Sequence, residues 1–156
     1  MTTWQTFAAA APSLAERVHE RFLSGESHVL ATLRRDGSPR VSGSEVSFRD
    51  DGSLYIGSML NARKARDLQH DGRFALHAFP GIEENGPGDA KLAGVAREIT
   101  DSRADADSHL FELDIHEAVY TWVADNTLFV ESWHAGGAWV RFARPDNGLV
   151  ERTVLG

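Results

Sequence analysis

The sequence predicts a mainly β (α+β) protein, with six or seven antiparallel strands closing or half-closing into a small barrel and short helices at its periphery. Three observations predict it. Short strand-like runs alternate with compact turn signals at Asp36-Gly37, Asp50-Asp51-Gly52 and Asp125-Asn126. Only three short segments read as helix. So many strands with so few helices to cover sheet edges favour closure, because a barrel has no free edge.

The first element is a helix. Ser13 and Glu16 have the S-x-x-E spacing of a capping box, Leu14, Val18 and Phe22 share one face, and Gly25 is placed to end it. A strand from His28 to Arg34 turns at Asp36-Gly37 and returns as Arg40 to Phe48. Asp50-Asp51-Gly52 turns again into Ser53 to Met59, and a short helix opening at Arg63 ends at Asp71-Gly72. Arg73 to Phe79 is the next strand. Pro80 to Asp89 holds three glycines and two prolines and reads as a polar loop, since such a segment cannot lie inside a sheet. Lys91 to Thr100 is a strand, and Ala104 to Leu113 a helix with Leu110 and Leu113 as its apolar side. Ala118 to Ala124 and Leu128 to Trp133 form a hairpin about Asp125-Asn126. Ala138 to Ala143 leads into a turn at Pro145 to Gly148 and a short tail. No internal repeat or linker divides the chain, so residues 1–156 are expected to form one domain.

Composition narrows the function. Apolar residues make up 42% of the chain, enough for a real core. A net charge of −7 argues against nucleic acid or an anionic membrane as partner, because neither is attracted at long range. The absence of cysteine excludes disulfides, thiolate catalysis and cysteine metal sites. No run reaches the 18 or so apolar residues of a membrane span. Met1 to Ala11 carries no positive charge ahead of its alanines, unlike a signal peptide. A cytoplasmic protein is expected.

Two segments carry chemistry. Gly57 and Ser58 end a strand, and Arg63, Lys64 and Arg66 then open a helix. Cations and free backbone N–H groups at a helix N-terminus form a natural phosphate receptor. The alternative is a solvated helix face with Asp67 paired to Arg63 at i,i+4. The second segment is the strand Arg40-Val41-Ser42-Gly43-Ser44-Glu45. Ser42, Gly43 and Ser44 leave the backbone uncovered, which suits close approach of a flat ligand; the alternative is an edge strand or a bulge at Gly43.

The order of these features is similar to that of the pyridoxamine 5′-phosphate oxidase-like family of FMN-binding split β-barrels. Small-residue strand, hairpin, strand, then Arg-Lys-Ala opening a helix that leads into Asp-Gly-Arg-Phe-Ala-Leu carry the likeness over roughly Val29 to Thr100. The resemblance implies a split barrel, a homodimer and a flavin in the cleft between subunits. It implies that Arg40 and the Val41 to Ser44 backbone contact the flavin, and that Gly57, Ser58, Arg63 and Lys64 lie at its ribityl phosphate. Ala62 stands where the oxidases carry serine, which removes one hydroxyl donor and leaves the charges. The residues that clamp the pyridoxal phosphate substrate in those oxidases have no counterpart, so the resemblance points away from the vitamin B6 oxidase itself. Family members that use the deazaflavin F420 make that cofactor the alternative to FMN, and haem-binding relatives add a third.

Other candidates are few. No metal spacing occurs among the seven histidines, although Asp114-x-His116 and His134 can be nominated, and His134 is the candidate axial ligand were haem bound. Trp133, His134 and Trp139 are candidate substrate or partner-subunit contacts; the alternative for Trp133 and Trp139, as for Trp122, is a place in the core. Gly81 to Gly88 matches no nucleotide fingerprint and reads as a mobile flap beside the cofactor cleft. No catalytic constellation emerges, in keeping with chemistry performed by a cofactor on a small-molecule substrate. The expected function is a flavin-dependent oxidoreductase; the alternative is a non-catalytic flavin or haem carrier on the same barrel.

Overall fold

A computed structural model describes residues 1–79 and 84–156. Its helices are α1 (Trp4–Ala10), α2 (Pro12–Leu23) and α3 (Arg63–His70). Its strands are β1 (His28–Leu33), β2 (Pro39–Ser44), β3 (Val46–Phe48), β4 (Leu54–Met59) and β5 (Arg73–His77), then β6 (Asp89–Ile99), β7 (Ser108–Ala124), β8 (Thr127–His134), β9 (Trp139–Pro145) and β10 (Glu151–Val154). No helix among the described residues is long and apolar enough to cross a membrane.

The sheet is antiparallel, as expected, with ten strands rather than six or seven. Three elements depart from the sequence expectation, two of them adding a strand and the third lengthening one. The predicted strand Arg40 to Phe48 breaks at Glu45 into β2, paired with β1, and β3, paired with β4. The tail folds back as β10 onto β9. The predicted helix Ala104 to Leu113 is instead a turn followed by the first half of β7. There Phe111, Leu113 and Ile115 alternate into the core at period two, and that alternation overrides the i,i+3 spacing of Leu110 and Leu113. Counting the bent β2–β3 as one strand, the pairing runs β1, β2–β3, β4, β7, β6, β5 and back to β1, a six-membered ring.

β7 is where the barrel splits. One edge pairs with β6 from Leu110 to Thr121; the other pairs with β4 through Ser108–Glu112 and then with β8 through Glu117–Ala124. In the gap between, the Ile115 N–H donates to the Thr2 carbonyl at 2.9 Å, and the Thr2 N–H to Asp114 Oδ1 at 2.6 Å. The β6–β7 register slips beside Gly94, so β7 can bend from the ring into the β8–β10 extension. A Cβ at Gly94 would stand 1.9 Å from the Asp114 carbonyl oxygen, which leaves only glycine at this approach.

α1 and α2 cap one end of the barrel. Phe7, Leu14, Val18 and Phe22 are fully or almost fully buried, each worth about 1.5–3 kcal/mol of apolar transfer. α1 has no counterpart in the sequence expectation, and α2 begins two residues earlier than a Ser13–Glu16 capping box places it. Ala11 is the N-cap and Pro12 takes the first helical position, where its missing N–H costs nothing, so Ser13 lies inside the helix. α2 ends at Ser24, just before Gly25. The flap expected over Gly81 to Gly88 lies partly outside the described residues. Its described part is pinned to the β7–β8 hairpin, not to the cleft, with Asn85 N–H on the Val123 carbonyl and Gly88 N–H on the Tyr120 hydroxyl, both at 2.9 Å.

Buried His28 ties this end together. Its Nδ1 accepts from the Phe79 N–H at 3.1 Å, and its ring stands edge-on to Phe22, with centroids 4.9 Å apart. Burial lowers its pKa from 6.5, with the Arg21 charge adding and hydrogen bonds to the Phe22 and Gly25 backbone opposing. The unfolded chain therefore binds a proton at His28 before the folded one does, and stability falls as pH drops below about 6.5 toward the folded pKa. His28→Asn, whose amide oxygen can accept the same N–H, is expected to flatten that slope. Urea midpoints at neutral and mildly acidic pH check it.

Candidate functional site

α3 follows β4 through a tight turn at Asn61, which adopts a left-handed backbone with φ of 62°. The turn sets α3 against β1, β6 and β4, and buried Ala65 and Leu68 fix which faces point outward. Lys64 and Arg63 are adjacent in sequence, so on a helix they project about 100° apart. They enter two different clefts.

The first cleft, of about 480 Å³, lies between the β2–β3 bend, β4 and the start of α3. Gly43, Ser44, Gly57, Ser58 and Ala62 make its walls small and expose main chain, with Ser27, Glu45, Ser47 and Met59 completing the lining. Its one cation is half-buried Lys64, whose Nζ donates to the Gly43 carbonyl at 2.8 Å and reaches Ser44 Oγ at 3.5 Å. Burial lowers the Lys64 pKa from its ordinary value, and the Glu45 charge works against the shift. Ala62 caps α3 without a side-chain hydrogen bond, so the first-turn N–H groups of the helix keep their capacity for an anion.

The second cleft, of about 360 Å³, is lined by Arg34, Arg35, Arg40, Arg63 and Arg66 with Asn61 and Asp67. Asp67 is its brace: Oδ2 accepts from Arg40 Nε at 2.7 Å and from Thr32 Oγ1 at 2.8 Å. Burial alone would raise the Asp67 pKa, but the hydrogen bonds from Arg40 and Thr32 and the charges of Arg40 and Arg34 outweigh it and hold the carboxyl below its ordinary value. The alternative pairing of Asp67 with Arg63 does not occur, because Asp67 faces the barrel.

Of the sequence candidates, Gly43, Ser44, Gly57, Ser58 and Lys64 thus come together, and Arg40 and Arg63 meet in the neighbouring cleft. Val41, 69% exposed, and Ser42 line neither cleft. Trp133 is a correction: it is 4% exposed and packed on Phe7 with ring centroids 5.0 Å apart, so it belongs to the core. Trp139 Nε1 donates to Glu131 at 3.1 Å, and exposed His134 pairs with Glu117 at 3.0 Å. All three stand on the β8–β9 extension, away from α3. Among the described residues no group of histidines and carboxylates could hold a metal. Sequence reasoning missed Ser27, Ser47, Arg34, Arg35 and Asp67. The Arg-Arg pair before Asp36-Gly37 was the available signal, since a hairpin there brings it over Arg40.

Gly57 tests the first cleft. A Cβ there meets nothing within 4 Å and would point into open space. Gly57→Leu is expected to leave the thermal midpoint unchanged or higher while filling the cleft, so that a small molecule seated there is lost; a binding titration and a thermal melt read the two effects.

Residues 14–141 match the family model described as Pyridoxamine 5′-phosphate oxidase. Among curated proteins no sequence matches the chain. Solved structures do resemble it. A heme binding protein from Mycobacterium smegmatis superposes with a TM-score of 0.58 at 16% identity, covering 93% of this chain and 88% of that one. PhzG from Burkholderia lata 383, in complex with tetrahydrophenazine-1-carboxylic acid, gives 0.57 at 13% identity, covering 96% and 91%. A Clostridium acetobutylicum protein related to general stress protein 26, of the pyridoxinephosphate oxidase family, gives 0.54 at 15% identity, covering 70% and 87%. At such identities the likeness is one of fold. With the family match spanning most of the ring and of the β7–β9 extension, this split barrel belongs to the pyridoxamine 5′-phosphate oxidase family.

Proposed function

We propose that the chain is a flavin-dependent oxidoreductase acting on a small molecule, with FMN, or alternatively F420, seated at the interface of a homodimer. The observation that carries this reading is the 480 Å³ cleft, whose floor is bare main chain and whose single cation sits at the uncapped start of α3. Its volume lies within the range of small-molecule sites. The residues fit the cofactor: Gly43 and Gly57 leave room for a planar ring, and Lys64, Ser44, Ser58 and the α3 amides supply donors for a phosphate. Among the described residues Glu45 and Lys64 are the only ionisable side chains lining it, so the protein's part is to bind, orient and exclude water. Bound flavin supplies hydride or electron transfer. Exposed Val41, Met59 and Leu60 flank the clefts and offer an apolar rim that a second copy would cover.

A second reading is a non-catalytic flavin or haem carrier, favoured by the likeness to a heme binding protein over most of both chains. Against haem, no histidine lines either cleft. The test is the absorption spectrum of the protein after incubation with FMN, F420 and haem in turn, joined to a native mass spectrum. Flavin bands retained on a dimer, with turnover of an acceptor after reduction by NADPH or reduced F420, support the enzyme. A retained Soret band, or flavin that never turns over, supports the carrier.

A further inference from the structure

The small-residue cleft carries one charge that flavin binding leaves unused. Glu45 lies where the chain leaves β2 at Ser44 and enters β3 at Val46, and its side chain lines the cleft. Its backbone carbonyl accepts from Ser44 Oγ at 3.4 Å, but among the described residues its carboxylate accepts no hydrogen bond and joins no ion pair. Asp67 in the neighbouring cleft is braced by Arg40 and Thr32; Glu45 has no such brace. Lys64 feels the Glu45 charge, yet its ammonium is turned to the Gly43 carbonyl at 2.8 Å. Ser27 and Ser47, which share this lining, add only neutral hydroxyls. On open surface water satisfies a carboxylate. A molecule seated in the cleft displaces that water, so it either offers Glu45 a donor or leaves the carboxylate desolvated at a cost. An anionic group placed there also meets like charge.

We propose that Glu45 selects the small molecule by charge: the cleft takes a planar compound with a cationic or hydrogen-bond-donating nitrogen and refuses one with a carboxylate in its place. The inference rests on the flavin reading, in which the cofactor phosphate engages Lys64 and leaves Glu45 the unanswered charge of the lining. Glu45 is a specificity residue and takes no part in the electron transfer itself. Its contribution is Coulombic, so it fades as salt screens it, whereas a preference set by shape does not.

Three probes that share one ring and differ in charge test it: N-methylnicotinamide, a pyridinium cation, neutral nicotinamide and anionic nicotinate. Each is titrated by NMR into the FMN-loaded protein at low ionic strength. The expected order of affinity is cation, neutral, anion. Glu45→Gln is expected to weaken the cation by about threefold or more and to tighten the anion, with nicotinamide moving less than either. Glu45→Asp, which keeps the charge, is expected to keep the order. Glu151→Gln on exposed β10 removes the same unit of net charge far along the sheet and is expected to change nothing, which separates the cleft from the overall field of the chain. In 1 M salt, where the screening length is about 3 Å, the order is expected to collapse. Equal binding of cation and anion, or Glu45→Gln and Glu151→Gln acting alike, overturns the proposal. If absorbance shows that no flavin is retained, the flavin reading fails by itself. The same titrations on the flavin-free protein then decide the role of Glu45: a cation weakened by Glu45→Gln alone keeps it, and a cation indifferent to that substitution ends it.

Discussion

Lys64→Met is expected to weaken FMN binding by roughly 10- to 100-fold, the effect of one charge-assisted hydrogen bond to phosphate worth about 1.5–3 kcal/mol. Its ammonium is the sole cation lining the small-residue cleft, already aimed there by the Gly43 carbonyl at 2.8 Å. The pH profile separates this role from a structural one. Burial lowers the Lys64 pKa and the Glu45 charge opposes that, so the free protein loses this proton at lower pH than an ordinary lysine at 10.5. A phosphate favours the protonated form; affinity therefore holds between the second pKa of the phosphate, about 6, and the Lys64 pKa, and falls as pH rises through the latter. Lys64→Met removes that limb. Because burial disfavours the charged state, the substitution is not expected to lower stability, so a lower urea midpoint would show that Lys64 holds the fold together rather than a ligand. Arg63→Ala, acting in the neighbouring cleft, is expected to cost FMN much less.

That contrast between adjacent residues marks the limit of what the sequence discloses. The turns at Asp36-Gly37, Asp50-Asp51-Gly52 and Asp125-Asn126 all appear where local chemistry puts them, since glycine and asparagine there supply the left-handed backbone a short connection needs. The cations of α3 were legible for a similar reason: charge at a helix start is a local property. Their division between two clefts depends on which face α3 buries, and Asp67 decides that by turning inward to Thr32 and Arg40, residues 35 and 27 positions away. β7 failed locally as well. Its first half carries Leu110 and Leu113 at a helical spacing, and only pairing with β4 and β6 on both edges reveals that Phe111, Leu113 and Ile115 are the inward set. Trp133 reads from sequence as either core or a contact, and what decides for the core is Phe7 of α1, a helix with no signature in the local pattern.

The largest stability effect is expected far from the clefts. Glu131 is fully buried on β8 with a partner at each oxygen: Arg17 of α2 on Oε2, Arg141 Nε and Nη2 on Oε1 at 2.7 and 2.6 Å, and the Trp139 indole N–H on Oε2 at 3.1 Å. Arg17 also lies over the Tyr120 and Trp122 rings, 5.0 and 4.7 Å from their centroids, so it joins the helical cap to the β7–β9 extension by packing as well as charge. In Arg17→Met/Arg141→Met the stems remain and both counter-charges go. The carboxylate is left with one neutral donor, and a loss of about 3–5 kcal/mol is expected by urea denaturation, enough to threaten folding in a domain of ordinary stability. Adding Glu131→Leu separates the causes. If the unpaired buried charge is responsible, the triple variant recovers most of the loss, because a buried ionic cluster replaced by apolar groups of similar size is often close to neutral. If the arginines matter for their contacts with Tyr120 and Trp122, the triple variant stays as unstable as the double, and the ionic account of this cluster is wrong.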